Sequence, residues 1–340
     1  MLYLLLTYDY ELFFNKSFAS EEEVLIKPTY EIAKALSEEG VPATFFVDTP
    51  SVIVYRKKGM ESFPNMVKEQ VRFLLDNNHD IQLHIHPIWF KTEYKDCEWT
   101  FNNDFYSLKS FLNVKEIIEE SKACLDELAG DNPNYKCSAF RAGGFCYSPV
   151  KEVTETLLSL GITIDSSVCK GLKMDTLAQQ FDYTQTPKSE NWFFDSSSIL
   201  METTKTEKML EIPIGTYKRV PNKWILTHCM PKLVFPPRKG MSTPTIEKKQ
   251  SSLFDRLLAS INTPVLFTHD SLHARALEAI VKHYEKQAKN KDIYVAVIAH
   301  PKLSSEVCVS NTVAFVQLVK KNCHNSRFVS MKDVAKIENL

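Results

Sequence analysis

The chain predicts a single α/β domain built as a distorted (β/α)7-8 barrel, and three observations lead there. Strand-like apolar runs alternate with helix-like amphipathic segments along nearly the whole sequence, which implies parallel βαβ units. Seven or eight such units are present, enough to favour a closed barrel over an open sheet. Polar residues suited to metal binding or proton transfer also recur at the carboxyl ends of the predicted strands, where such barrels gather their chemistry. With 340 residues, 44% hydrophobic and 24% charged, the chain can fill one large core, so 1–340 is read as one domain.

The first strand is Leu2–Tyr8, in the run Met1-Leu2-Tyr3-Leu4-Leu5-Leu6. This run lacks a basic segment and a small-residue cleavage site and meets Asp9 and Glu11 at once, so it is expected to be a buried strand rather than a leader. A helix over Pro28–Glu39 closes at Gly40, and Val41–Val47 is the second strand. Met66–Asn77 is helical and Asp80–His86 is the third strand. Val114–Ala129 is a helix with Asn113 as its expected cap, Glu116 at the capping-box position and Gly130 as its stop. Ser138–Ala142 is a strand. Ser148 is expected to cap a helix that has Pro149 at its first position and ends at Gly161. The remaining strands are Ile162–Ser166, Leu210–Ile214, Val265–Thr268 and Tyr294–Ala299, with helices near 246–260, 272–289 and 312–322.

The net charge of -1 gives no reason to expect a nucleic-acid partner. No apolar run approaches the ~20 residues that span a bilayer. Eight cysteines, at 97, 124, 137, 146, 169, 229, 308 and 323, form no C-x-x-C pair, so reduced thiols and a cytoplasmic location are expected.

Two pairs of residues carry the chemistry. Asp9 and Glu11 sit at the end of the first strand, and His84 and His86 end the third, just before Pro87. Alternate strand residues share a side, so each pair can aim at one point. A lone histidine is usually structural; two at strand spacing, with a proline where the strand must stop, point to ligands. Two imidazoles and a carboxylate leave coordination positions open for water and substrate, the makeup of a hydrolytic metal centre. Carboxylates on so apolar a strand also need a compensating cation. Arg141, in Phe140-Arg141-Ala142-Gly143-Gly144, can hold a carboxylate in two-pronged geometry, and its two glycines allow a tight turn close to a ligand. A rim ion pair is the plainer alternative for it. His300, before Pro301, suits general acid work, and His269, before Asp270, has a similar setting.

The order of these motifs resembles the polysaccharide deacetylase family, the NodB-homology fold of carbohydrate esterase family four. The matching stretches are Thr7-Tyr8-Asp9, His79-Asp80-Ile81, His84 to His86-Pro87, Arg141-Ala142-Gly143-Gly144, Glu211-Ile212-Pro213, His300-Pro301 and Arg327-Phe328-Val329-Ser330-Met331. The resemblance implies a NodB-type barrel and one divalent ion, zinc by default. It implies that Asp9 is the general base, His84 and His86 are metal ligands, Arg141 orients the base and His300 is the general acid. Asp165 falls where the family often places a supporting acidic residue. The chain departs from the pattern at Tyr10, which replaces the family's second, metal-binding Asp; Glu11 is the nearest replacement ligand. The histidine pair is compressed to H-x-H, a form similar to a subgroup associated with bacterial surface-polysaccharide synthesis.

Two loops should border the active face. Residues 87–112 carry eight aromatics, among them Trp89, able to stack on sugar rings or to pack as a lid. Residues 217–240 are basic and apolar, suited to an anionic sugar or a peripheral membrane contact. The implied function is removal of an N-acetyl group from an amino sugar of a glycan, or of a lipid-linked or nucleotide-linked precursor. Trp89, Gly143 and Asp165 are its expected substrate contacts. The alternatives are a glycoside hydrolase using Asp165, Asp270 or Glu211, and a barrel that only binds sugar.

Overall fold

The computed structural model of the protein describes residues 1–14, 19–176, 179–218, 264–270 and 272–340. The expected helix near 246–260, Cys229 and the basic loop from 219 to 240 lie outside these residues. Strand β1 (Leu2–Tyr10) is buried along nearly all its length and pairs in parallel with β2 (Ala43–Asp48), which pairs with β3 (Asp80–Ile85). A small hairpin, β4 (Glu93–Lys95) and β5 (Glu98–Thr100), stands in the loop after β3. The sheet continues through β6 (Ala139–Ala142) and β7 (Ile164–Asp165), and a second hairpin follows, β8 (Lys173–Asp175) with β9 (Gln180–Asp182). Strand β10 (Trp192–Phe194) joins antiparallel to β11 (Met209–Glu211), and β11 pairs in parallel with β7. Strands β12 (Thr216–Tyr217) and β13 (Val265–Leu266) pair antiparallel. Strand β14 (Ile293–Ala299) flanks the other edge of β1, and β15 (Ser326–Phe328) pairs with Leu2–Leu4.

The main sheet therefore runs β10-β11-β7-β6-β3-β2-β1-β14. Among the described residues it closes through single-residue bridges. Ile214, just past β11, bridges to Ala296 on β14 and to Cys169 past β7, and the Gly215 amide donates to the Ala296 carbonyl at 2.8 Å. Gly215 marks a tight seam: a Cβ there would lie 2.8 Å from a Val295 methyl and 3.0 Å from the Phe267 ring. The barrel is distorted at this seam and regular on the opposite side.

Helices cover the outside: α1 (Lys27–Glu38), α2 (Thr49–Lys57), α3 (Ser62–Asp76), α4 (Val114–Ala129), α5 (Val150–Ser159), α6 (Ala274–Gln287) and α7 (Glu306–Asn322). Strand parity divides the core in two. Leu4, Leu6, Tyr8, Phe45 and Leu83 face these helices, whereas Leu5, Phe46, Ala139, Ile164, Leu210 and Ala296 form a smaller cluster inside the barrel. A last helix, α8 (Met331–Ile337), plugs the amino ends of the strands with Met331, Val334 and Ala335.

Three local expectations are corrected. Helix α2 has no counterpart in the sequence reading, because its residues are buried nearly all round and show little amphipathic period. Asn113 precedes α4 but its side chain makes no capping bond. Helix α5 begins at Val150, with Pro149 as the extended flanking residue, so Ser148 is not its cap.

Candidate metal centre and its surroundings

Parity along the strands decides which polar groups meet. Thr7 and Asp9 on β1, Asp48 at the end of β2, His84 on β3 and Arg141 on β6 share the inner face; cross-strand partners such as Asp48 with His84, and His84 with Arg141, sit side by side. Tyr10 points the other way and donates its hydroxyl to Gln70 Oε1 at 2.8 Å. Glu11, one residue past the strand, returns inward.

Glu11, His84 and His86 form a buried group whose ligating atoms all lie within 4.8 Å of one another. Glu11 Oε2 lies 2.6 Å from His86 Nε2 and 3.1 Å from His84 Nε2. His84 Nδ1 is 2.7 Å from the Arg141 carbonyl. A carbonyl oxygen only accepts, so Nδ1 carries a proton, and Nε2, which faces Glu11 Oε2, is the nitrogen that would give up its proton to an ion. That is the outer hydrogen bond by which metal-binding histidines are oriented. His86 is steered differently. Its backbone amide donates to Asp48 Oδ1 at 2.8 Å, and Gly143 lies against its ring, where a Cβ would come within 2.7 Å of Nδ1. His86 Nδ1 is buried without a partner.

The charges suit a cation. Burial would lower the pKa of His84, but Asp9, Glu11 and Asp48 outweigh it and push it up to about 9. Burial would raise Glu11; Lys302 and the two imidazoles overcome that and hold it well below the usual carboxylate range. Burial drives Asp48 up to about 6 against the pull of both imidazoles. Two imidazole nitrogens and one carboxylate oxygen, aimed at one point from fixed strands, fit a borderline divalent ion with open positions.

Asp9 stands beside this group. Arg141 Nη1 contacts Asp9 Oδ1 at 2.5 Å, while Nη2 reaches Thr7 Oγ1 and Ser166 Oγ and Nε donates to the Ser166 carbonyl. The guanidinium also stacks 4.1 Å from the Phe46 ring centre. The arginine therefore grips one oxygen rather than both, and the two-pronged geometry expected from sequence is not found. Asp9 Oδ2 is left facing His300, whose Nε2 is 3.9 Å away and equally distant from Glu11 Oε1. His300 Nδ1 is 3.3 Å from Asp270 Oδ2. Burial would lower the His300 pKa, but the bond to Asp270 and the nearby Asp9 and Glu11 raise it. His269 is elsewhere: Nδ1 pairs with Thr312 Oγ1 at 3.1 Å, the ring packs edge-on against Tyr8, and burial lowers its pKa to about 4.

Two expected substrate contacts are corrected by the geometry. Asp165 registers with Phe140, not Arg141, and so faces the outer side of the sheet, where it bonds Ser167 and couples to Glu211. Burial and the Asp165 carboxylate raise Glu211 well above its ordinary range. Trp89 is only 1% exposed and spends its indole N–H on Asp48 Oδ2 at 2.8 Å, so it walls the site rather than offering an open stacking face. Gly143 is in the site, as the neighbour that lets the His86 ring come close. Of the 87–112 loop, Trp89, Phe101 and Tyr106 pack around Phe14 as a closed lid.

Sequence reasoning missed Lys302 and Asp48. Lys302 Nζ binds Glu11 Oε1 at 2.7 Å and the Leu12 carbonyl at 3.1 Å, which leaves Oε2 alone to face the imidazoles. Both had a signal available. Asp48 ends a barrel strand, and Lys302 lies two residues beyond His300, in the turn Pro301–Leu303.

No family model matches the chain, and no curated protein matches it. Among solved structures, 4-alpha-glucanotransferase from Thermococcus litoralis superposes with a TM-score of 0.50 at 9% identity, over 98% of this chain and 40% of that one. Puue allantoinase gives 0.48 at 11% identity, over 98% and 88% of the two chains. A probable polysaccharide deacetylase from Pseudomonas aeruginosa PAO1 gives 0.46 at 12% identity, over 98% and 89%. At such identities the likeness is one of chain path, and the chemistry has to be read from the side chains.

Proposed function

We propose that the protein is a metal-dependent hydrolase that removes an N-acetyl group from an amino sugar of a glycan or glycan precursor. One observation carries this reading: a buried Glu11-His84-His86 donor group beside an Arg141-held Asp9 with one oxygen left over and His300 opposite. Zinc is the ion we propose for Glu11 Oε2, His84 Nε2 and His86 Nε2. When bound, such an ion polarises an acyl carbonyl and makes water more acidic.

The chain's own groups supply the proton transfers. Arg141 fixes Asp9 through Oδ1, so Oδ2 is the atom placed to accept a proton from attacking water. His300, held by Asp270 and raised in pKa, keeps its Nε2 proton for the departing amine. Lys302 holds the second oxygen of Glu11 and adds positive charge beside the site where the oxyanion develops. Acetate and a free amine result. The glycosidase alternative loses Asp165 and Glu211, which face the outside of the sheet, and Asp270 is tied to His300 and Thr268.

The test is metal analysis of the purified protein joined to an acetate-release assay on assorted N-acetylated sugars. Acetate formed without new reducing ends, and lost on chelation, is the expected result. Sugar binding with neither metal nor acetate release would leave only the binding barrel.

A further inference from the structure

Two buried carboxyl groups take no part in the chemistry above. Asp165 on β7 and Glu211 on β11 are cross-strand partners on the outer face of the sheet, and neither reaches solvent. Paired strand residues bring their side chains together, and these two carboxyl groups hydrogen-bond each other. Glu211 Oε1 accepts from the Val168 amide at 3.1 Å. Among the described residues no donor group is turned towards Glu211 Oε2; what faces it is the Asp165 carboxyl.

Two acceptors in contact away from water repel unless one of them carries a proton. Asp165 has a donor on each oxygen, the Ser167 amide on Oδ2 at 2.9 Å and the Ser167 hydroxyl on Oδ1 at 2.8 Å, so it is the ionised member. Glu211 is the acid, with its O–H directed at Asp165. Arg141 is the cation that acts on both, from the opposite face. Tyr147, Tyr183 and Cys169 border the pair, and burial holds each of them neutral by raising it well above its ordinary range.

The pair acts on one short turn. Strand parity sends Asp165 and Ser167 outwards and Ser166 inwards. On the outer side the pair takes the Ser167 amide and hydroxyl and the Val168 amide. On the inner side the Ser166 carbonyl takes Arg141 Nε at 2.8 Å, and the Ser166 hydroxyl takes Nη2 at 3.0 Å. The Ser167 hydroxyl also accepts from the Ala142 amide, next to Arg141, at 2.8 Å. Arg141 Nη1 in turn grips Asp9 Oδ1. The guanidinium is thus held by a turn whose own position is set from the far side of the sheet.

We propose that Glu211 and Asp165 are a positioning pair: joined by one proton, they clamp residues 166–168 and so hold Arg141 and, through it, the Asp9 carboxylate. The kinetic consequence rests on the deacetylase reading; the clamp does not.

Kinetics of the zinc-loaded full chain, on an N-acetylated sugar that it cleaves, test the consequence. Gln at position 211 mimics the acid, because its amide donates to Asp165 while its carbonyl accepts from Val168; Leu does neither. Glu211→Leu should lower kcat by about 10²-fold, as a misplacement of about 1 Å does, with KM and zinc content unchanged. Glu211→Gln should recover most of that loss. Equal losses in the two variants, or a Leu variant with the parent's kcat, overturn the proposal. If Glu211→Leu does not fold, Ser167→Ala replaces it by cutting the link from Asp165 to the Ala142 amide; a loss of about tenfold is expected, and no loss overturns the clamp.

Urea midpoints of the metal-free protein need no activity. Unfolded, Glu211 gives up its proton near 4.5; folded, it keeps it well above that, so stability present at low pH is lost as pH rises. Glu211→Gln has no such proton to lose, and its midpoint should gain steadily on the parent's from pH 5 to pH 8. A constant difference overturns the shared proton. Ser167→Ala and Arg141→Met together should lower the midpoint by less than the sum of their separate effects, because both release the same turn; additive losses overturn the clamp. Acetate release without the pH drift sinks the pair and leaves the hydrolase. The drift with no acetate from any N-acetylated sugar does the reverse.

Discussion

The two ends of this barrel carry inward-facing polar residues on the same strands, yet they treat them in opposite ways. At the amino end, Asp80 accepts from Gln82 Nε2 at 2.8 Å, from Thr44 Oγ1 at 3.2 Å and from the Lys332 amide at 2.9 Å. Gln82 Oε1 in turn accepts from the Ser138 and Ala139 amides. Beside them, on the helix-facing side against Phe45, His79 takes the Ala43 amide on Nδ1 and so must donate from Nε2, towards the Ala33 carbonyl at 3.0 Å. Each of these groups has fixed partners, so the floor is structure. At the carboxyl end, carboxylates and imidazoles crowd together; among the described residues His86 Nδ1 lacks a partner, and Asp9 Oδ2 faces His300 at 3.9 Å. Polar residues with unfinished bonding are the ones a ligand completes.

Substitutions at the two ends should separate accordingly. The largest effect is expected at the mouth: Asp9→Asn should cut kcat by about 10³-fold, within the usual range for a lost general base, with metal content unchanged. Glu11→Gln should lose the metal itself. The opposite pattern, metal lost from Asp9→Asn and kept by Glu11→Gln, would exchange the two roles.

Arg141→Met leaves the Asp9 carboxylate buried without its cation. Breaking a buried pair in this way costs about 3–5 kcal/mol, read as a lowered urea midpoint in the metal-free protein. A midpoint within error of the parent protein would mean that Asp9 finds another partner.

At the floor, Gln82→Leu strands two backbone donors and two acceptors, an Asp80 oxygen and the Lys136 carbonyl. A loss of about 3 kcal/mol is expected, with zinc affinity unaltered. A matching loss of zinc affinity would show that the two ends are mechanically coupled.

The last effect is a pH dependence, reached in full only at the acid end of the range. Burial lowers His79 to about 4, whereas an unfolded chain titrates near 6.5. The unfolded state therefore takes up the proton first, and the stability present above pH 6.5 falls as pH drops towards 4, by up to about 3 kcal/mol for this group. His269, also lowered to about 4, acts in the same window. His79→Gln should make the fall between pH 6.5 and 4.5 visibly shallower in urea titrations at each pH.

The sequence by itself determined the alternation of strands and helices, the barrel class, and the sharing of a face by residues two apart, because periods of 2 and 3.6 are local properties. It therefore brought out Asp9, the two histidines, Arg141 and His300. Only the tertiary structure decided which faces meet. Registry put Asp165 with Phe140 on the outside rather than with Arg141, and a one-residue difference in parity is invisible until the strands are paired. Lys302 reached Glu11 across 291 residues of sequence, and Trp89 turned inward to Asp48 because a buried carboxylate demanded a donor. Local pattern fixes which side of a strand a residue takes; only long-range pairing fixes what it finds there.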